Sequence, residues 1–199
     1  MSTKFEIVTR AYLSIDAAPI QSFTGNTDEE VWAANNYEHF RRAELSSIPW
    51  NFATKYAVLT KTVNTPLDGR WQYEYLPPPN LLRLLAVYQS SGSDQIPYEA
   101  AQDRVYTNTD GVLAKFIADV DTGDLPPYFE DRLIARLAAE AAEALSGEDR
   151  MIERKWAEYD RKKREAVKID AQINPPRNLI GDGNSAVLKA RFSGSGSRY

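Results

Sequence analysis

Trp71-Gln72-Tyr73-Glu74-Tyr75-Leu76-Pro77-Pro78-Pro79 is the stretch from which the chain is best read. Aromatic and polar side chains alternate over its first five residues, the period of a strand with one buried face. The three prolines cannot sit in a central ladder and form a rigid connector. On either side the same period recurs: residues 56–63, 81–88, 95–99, 104–107 and 112–120 also read as strands. Asn108-Thr109-Asp110-Gly111 is a turn signal that predicts a hairpin between the last two. Residues 56–124 are thus expected to form a small antiparallel β-lobe.

Helical period flanks this lobe. Residues 3–14 predict a first helix with Phe5, Val8, Tyr12 and Ile15 along one stripe. Thr27-Asp28-Glu29-Glu30 is a capping box that starts a second, with Ala33, Tyr37, Phe40, Leu45 and Ile48 on its core face. Pro49 ends that helix or opens a short one carrying Trp50, Phe52 and Ala53. Beyond Leu125, Pro126 and Pro127 start a third helix on which Phe129, Leu133, Leu137, Ala141 and Leu145 step by four. Ser146-Gly147 interrupts, and a long last helix follows with Ile152, Trp156, Tyr159, Ala166 and Ile173 as its apolar face. Pro175-Pro176 stops it. The expectation is an α+β chain: a mainly helical bundle built from residues 3–55 and 125–174, the β-lobe at 56–124 inserted between them, and an extended tail at 175–199.

The chemical inventory is poor. With 0 Cys among 199 residues, neither a disulfide framework nor a thiolate zinc site is available. His39 is the single histidine and lies mid-helix, where a structural role outweighs catalysis or ligation. Asp119, Asp121 and Asp124 lack the twelve-residue spacing and closing Glu of a calcium loop, and read as a solvated turn. Glu140 and Glu143 read as solvated positions. Gly181-Asp182-Gly183 and Gly194-Ser195-Gly196 lack the strand–loop–helix setting of a phosphate loop. No acid–nucleophile pair stands out, so the expectation is a structural or interaction protein without metal or cofactor rather than an enzyme. The first residues do not form a signal peptide, and no apolar run approaches the ~20 residues of a membrane helix.

Charge is split. Residues 1–149 carry 12 Lys/Arg against 22 Asp/Glu, whereas residues 150–199 carry 12 against 6. An acidic body with a basic arm suits docking between copies or on an acidic partner. The densest basic run is Arg161-Lys162-Lys163-Arg164, interleaved with Glu158, Asp160 and Glu165. It reads as a solvated helix face or a contact with an acidic neighbouring subunit, with nucleic-acid binding as the alternative. The Gly- and Ser-rich tail has the composition of a disordered segment that orders on binding. Leu179, Ile180, Val187, Leu188, Phe192 and Tyr199 are its spaced apolar anchors, and Lys189 and Arg191 suit an acidic surface.

Taken in order, these pieces resemble a known family. A short helix ends near Ala17-Ala18-Pro19-Ile20. A long one with Arg41-Arg42 and Leu45 leads to Trp50-Asn51-Phe52-Ala53. Tyr75-Leu76-Pro77-Pro78 precedes the apolar Leu81-Leu82-Arg83-Leu84-Leu85, and Pro126-Pro127-Tyr128-Phe129 opens an Ala-rich helix. Over residues 3–170 this is similar to the tail tubular protein A family, the head-to-tail adaptors of short-tailed bacteriophages.

The resemblance implies a structural virion protein assembled in the host cytoplasm. Such adaptors form a homo-oligomeric ring, a dodecamer, that joins the portal protein to the tail nozzle protein. Tail fibres are a further candidate partner. DNA passes through the ring without sequence-specific binding, no membrane is involved, and C-terminal segments grip the portal. Arg161, Lys162, Lys163, Arg164 and the tail anchors are then the partner-binding residues. The alternatives are another phage connector, such as a stopper or tail-completion protein, or a nucleic-acid-binding protein using the basic arm.

Overall fold

Thr3 and Thr27 start the first two helices by the same device. Each hydroxyl accepts the amide three residues on, while Glu6 and Glu30 reach back to the cap amide. The computed structural model describes residues 2–173 apart from Thr65, Leu67, Asp68 and Ser93. In it α1 spans Lys4–Leu13 and α2 spans Asp28–Ser47. Glu30 also accepts the amides of Gln21 (3.1 Å) and Ser22 (3.0 Å), so the intervening loop wraps around one carboxylate. Gly25 passes so close that an added Cβ would overlap that carboxylate.

On α1 the buried stripe is Ile7, Val8, Ala11 and Tyr12. Phe5, expected within it, sits at the stripe's edge and is 39% exposed. On α2, Ala33, Tyr37 and Leu45 are buried as expected, while Phe40 and Ile48 are half-buried. Pro49 ends α2, and residues 50–53 form a turn closed by Thr54 N donating to Trp50 O (2.9 Å), not a new helix.

Seven strands follow: β1 Thr54–Val58, β2 Thr60–Lys61, β3 Tyr73–Leu76, β4 Leu81–Gln89, β5 Glu99–Ala101, β6 Arg104–Thr107 and β7 Val112–Ala118. They make two antiparallel sheets, ordered β1-β7-β4 and β2-β3-β6-β5. Between β1 and β2 the buried Leu59 carries the chain from one sheet to the other. Leu59, Tyr75, Val87, Val105, Val112, Ala114, Phe116 and Ala118 form the core of this lobe.

Three sequence expectations change here. The turn at 108–111 is not a hairpin: β6 pairs with β3 and β5, β7 with β1 and β4. Its chemistry is still used, with Gly111 at φ 69° and its amide donating to Tyr75 Oη (3.0 Å), but it carries the chain across the lobe. Glu74, the expected outward residue, is buried, bonded by Arg104 Nε (3.2 Å) and Thr62 Oγ1 (3.1 Å). The expected strand at 95–99 holds only a bridge at Gln95, and the regular strand begins at Glu99.

Helix α3 (Pro127–Ala141) buries Phe129, Leu133, Leu137 and Ala141 and packs against α1, α2 and α4. Ser2 Oγ donates to its Glu130 carboxylate (2.8 Å). A π turn (Ala142–Ser146) and Gly147 at φ 63° lead into α4, Asp149–Ile173. Tyr159 and Ala166 are buried on α4, but Ile173, expected on the apolar face, is 61% exposed. Lys155 and Asp170 are buried on α4 instead.

Together these elements are an α+β arrangement of four helices and two antiparallel sheets. Among the described residues no helix is long and apolar enough to cross a membrane. The tail expected at 175–199 lies outside the described residues.

Candidate interaction surface

Four consecutive side chains on a helix point in four directions, about 100° apart. The run Arg161–Arg164 is therefore split by the fold of α4. Lys162 is half-buried and donates to Asp131 of α3 (2.8 Å), with Glu165 at 3.8 Å. The Asp131 contact raises its pKa. Arg161, Lys163 and Arg164 are exposed, and Lys163 lies 5.8 Å over the Tyr159 ring. Arg161, Arg164 and the exposed Lys168 share one side of the helix, at i, i+3 and i+7 spacing. The other candidate residues, Leu179, Ile180, Val187, Leu188, Lys189, Arg191, Phe192 and Tyr199, lie outside the described residues.

Polar contacts hold the inner face of α4 to the body. Tyr159 Oη donates to Glu44 Oε1 (2.6 Å), and Glu44 is ion-paired with Arg132, both buried. Arg132 also donates to Ser47 Oγ (3.1 Å) and lies 4.8 Å over the Trp50 ring. Burial pushes the Tyr159 pKa up, and its bond to Glu44 adds to the shift. Arg136, ion-paired with Glu140, stands over the rings of Phe40, Trp156 and Tyr159. Burial raises the Glu140 pKa, with Arg136 opposing. Trp156 Nε1 donates to Glu143 Oε1 (2.7 Å). Glu140 and Glu143, expected to be merely solvated, are thus both partnered.

At the far end of α4, Asp170 closes the arrangement. Its carboxylate accepts from Asn51 N (3.0 Å), Asn51 Nδ2 (3.0 Å) and Tyr128 Oη (2.8 Å), while Asn51 Nδ2 also donates to Asp170 O (2.7 Å). Burial raises the Tyr128 pKa, and the Asp170 contact adds to it. Trp50 is buried, its Nε1 donating to Glu44 O (3.0 Å). Phe52 stands edge-on to Phe129 (5.2 Å). Ala53 is buried, and its carbonyl accepts Ala118 N (2.8 Å). The four-residue turn is thus a joint between α2, α3, α4 and the β-lobe.

The sequence reading missed Glu44, Arg132 and Asp170 because it sought apolar residues alone. A usable signal was present: Lys155, Tyr159, Lys162, Ala166 and Asp170 recur at helical spacing, and all five are buried or half-buried.

His39 is exposed, its ring edge-on to Phe40. Asp119 pairs with Arg41 (2.7 Å) and Arg42 (2.9 Å), so it is not a member of a solvated turn. Asp121 and Asp124 are exposed and line a shallow groove with Lys55. Among the described residues, no three His, Cys, Asp or Glu side chains converge to hold a metal ion. Neither known protein families nor curated protein sequences yield a match to this chain.

Proposed function

We propose that this chain is the subunit of a head-to-tail adaptor ring of the tail tubular protein A type, joining a portal to a tail nozzle and surrounding the DNA passage. Copies would meet heterologously, each presenting two different surfaces that close by rotation. The exposed Arg161, Lys163 and Arg164 would contribute the basic contacts, and the acidic body of the next copy the opposing ones. The helices form the bundle of the subunit, with the β-lobe inserted between α2 and α3 and the tail leaving α4 toward the portal or the next copy.

The observation that carries this reading is the joint at Trp50–Ala53. It is one of the motifs that carry the family resemblance, and it holds the last turn of α4 through Asn51 and Asp170. The segment assigned to partner binding therefore starts from a fixed point. The test is the mass of the purified full-length chain alone and mixed with portal rings of the same virus, by native mass spectrometry. A ring of uniform copy number on the portal supports the proposal. A chain that stays monomeric and leaves the portal unbound overturns it.

The shared face of Arg161, Arg164 and Lys168 favours a second reading, a nucleic-acid-binding protein. Glu158, Asp160 and Glu165 on the same helix weigh against it. A steep fall of DNA affinity with salt would support it.

A further inference from the structure

The side of α4 shared by Arg161, Arg164 and Lys168 continues toward the start of the helix. Arg154 and Arg150 stand seven and eleven residues before Arg161, spacings that return to the same side of a helix. At about 100° per residue the five cations fall within about 40° of one line, and only Ala157 and Gln172 share that line with them. All of these residues are exposed. Tyr159, Ala166 and Asp170 occupy the opposite, buried side.

The carboxylates of α4 keep clear of this stripe. Glu153 and Asp160 flank it on one side, Glu158 and Glu165 on the other, about 60–80° from its centre. Among the described residues, the ion pairs of α4 are Lys155 with Glu158 and Lys162 with Asp131 and Glu165, all made by cations off the stripe. The result is an open row of positive charge about 27 Å long at 1.5 Å per residue.

What the stripe lacks narrows the partner. A protein interface is anchored by buried aromatic or large apolar side chains, and the stripe has none. A helix lying on a lipid surface needs an apolar face to insert, and the inner face of α4 is already packed on α3. Single-stranded nucleic acid is held by stacking on aromatic rings, which are also missing from the stripe. The phosphate backbone of a duplex needs only spaced cations, and Arg, four of the five here, grips a phosphate with two donors. An α-helix fits the major groove of B-form DNA but not the narrow one of duplex RNA. Such DNA carries one charge per ~1.7 Å of axis, about 16 over the length of the stripe.

We infer that Arg150, Arg154, Arg161, Arg164 and Lys168 form a sequence-independent seat for the phosphate backbone of double-stranded DNA. This rests on the second reading above and adds to it the ligand and the residues that hold it. The acidic body behind the helix repels DNA, which leaves the stripe as the place where it lands.

Affinity of the full-length chain for a DNA duplex of about 24 base pairs, measured by fluorescence anisotropy between about 50 and 200 mM salt, tests it. Each phosphate contact contributes about −0.9 to the slope of log affinity against log salt. Arg150→Gln, Arg154→Gln and Lys168→Gln together are expected to flatten the slope by about 2.7 and to weaken binding at least tenfold at the lowest salt. Lys4→Gln, Arg10→Gln and Lys163→Gln remove equal charge from exposed positions off the stripe and are expected to change the slope by less than about 0.5. Equal flattening by the two triple variants, or tighter binding of a single strand or of duplex RNA, overturns the inference while leaving a nucleic-acid-binding role standing. No binding by the natural chain overturns both. The ring reading uses only Arg161 and Arg164 of the five, so the first triple variant should still assemble on the portal, and either idea can fail without the other.

Discussion

Asp170 and Asn51 are bonded through both backbone and side chain: Asn51 donates its amide nitrogen and its Nδ2 to the Asp170 carboxylate, and its Nδ2 also reaches the Asp170 carbonyl. Ile173, the last apolar residue of α4, is 61% exposed. Asp170→Ala removes the carboxylate to which Asn51 N and Tyr128 Oη donate. We expect a loss of about 2 kcal/mol, because a hydrogen bond to a charged group contributes roughly 1.5–3 kcal/mol. Urea unfolding of the full-length variant measures it. A change below about 0.5 kcal/mol contradicts the role given to the clasp.

Glu44 and Arg132 are expected to behave as a coupled pair. Arg132→Met leaves the buried Glu44 without its ion pair while Tyr159 Oη stays bonded to it, at a cost of about 3–5 kcal/mol. Adding Glu44→Gln removes the stranded charge and keeps an acceptor for Tyr159, so the double variant should be more stable than Arg132→Met alone. A double-mutant cycle by chemical denaturation checks this, and strict additivity of the two changes refutes the coupling.

The capping residue Glu30 gives a pH signature. Burial opposes its ionisation, but the bonds from the amides of Thr27, Gln21 and Ser22 outweigh that, and its pKa falls below the ordinary 4.5. A carboxylate with a depressed folded pKa stabilises the fold above its unfolded value. That contribution is lost as pH falls from 4.5 through the depressed value. The gap in urea midpoint between the natural chain and Glu30→Gln should therefore be large at pH 7 and narrow progressively below pH 4.5. A gap independent of pH argues that the loop is held by packing.

For the proposed ring, the structure refines which basic residues to change. Lys162 is bound to Asp131 within the subunit, so reversing it damages the packing of α4 as well as any interface. Arg161→Glu, Lys163→Glu and Arg164→Glu together should leave the monomer's urea midpoint unchanged and weaken assembly at low salt. Normal ring formation by this triple variant at both low and high salt would remove the basic run from the interface.

Much of the fold was legible because local chemistry and tertiary context agree there. The Thr27 capping box, the stepping of Phe129, Leu133 and Leu137, and the strand at Arg104–Thr107 stand where the sequence places them. Other readings failed for identifiable reasons. The 108–111 turn has hairpin chemistry, but a turn signal reports local backbone preference and not which sheet receives the next strand. Glu74 was assigned to solvent by alternation, yet Arg104 and Thr62 satisfy it inside. On α4 the buried positions Lys155 and Asp170 are charged, and a search for apolar period passes over them. The exposed members of the basic run are a candidate surface by position alone, since charge in a sequence does not distinguish Lys162, used internally, from its neighbours.

The order in which this chain is made bears on how it can fold. Helix α1 packs on α3, and Ser2 is bonded to Glu130, 128 residues further on. At roughly 5–20 residues per second of translation, the first helix must wait on the order of 6–25 s for its partner to emerge from the ribosome. The β-lobe is complete before α3 has been synthesised, and both of its sheets close on contacts within residues 54–118. During that interval α1 has its smaller contact with α2, where Tyr12 meets Glu29 and Trp32, but still lacks α3, so nascent chains should depend on a holding chaperone and become independent of it once residue 141 has cleared the exit tunnel.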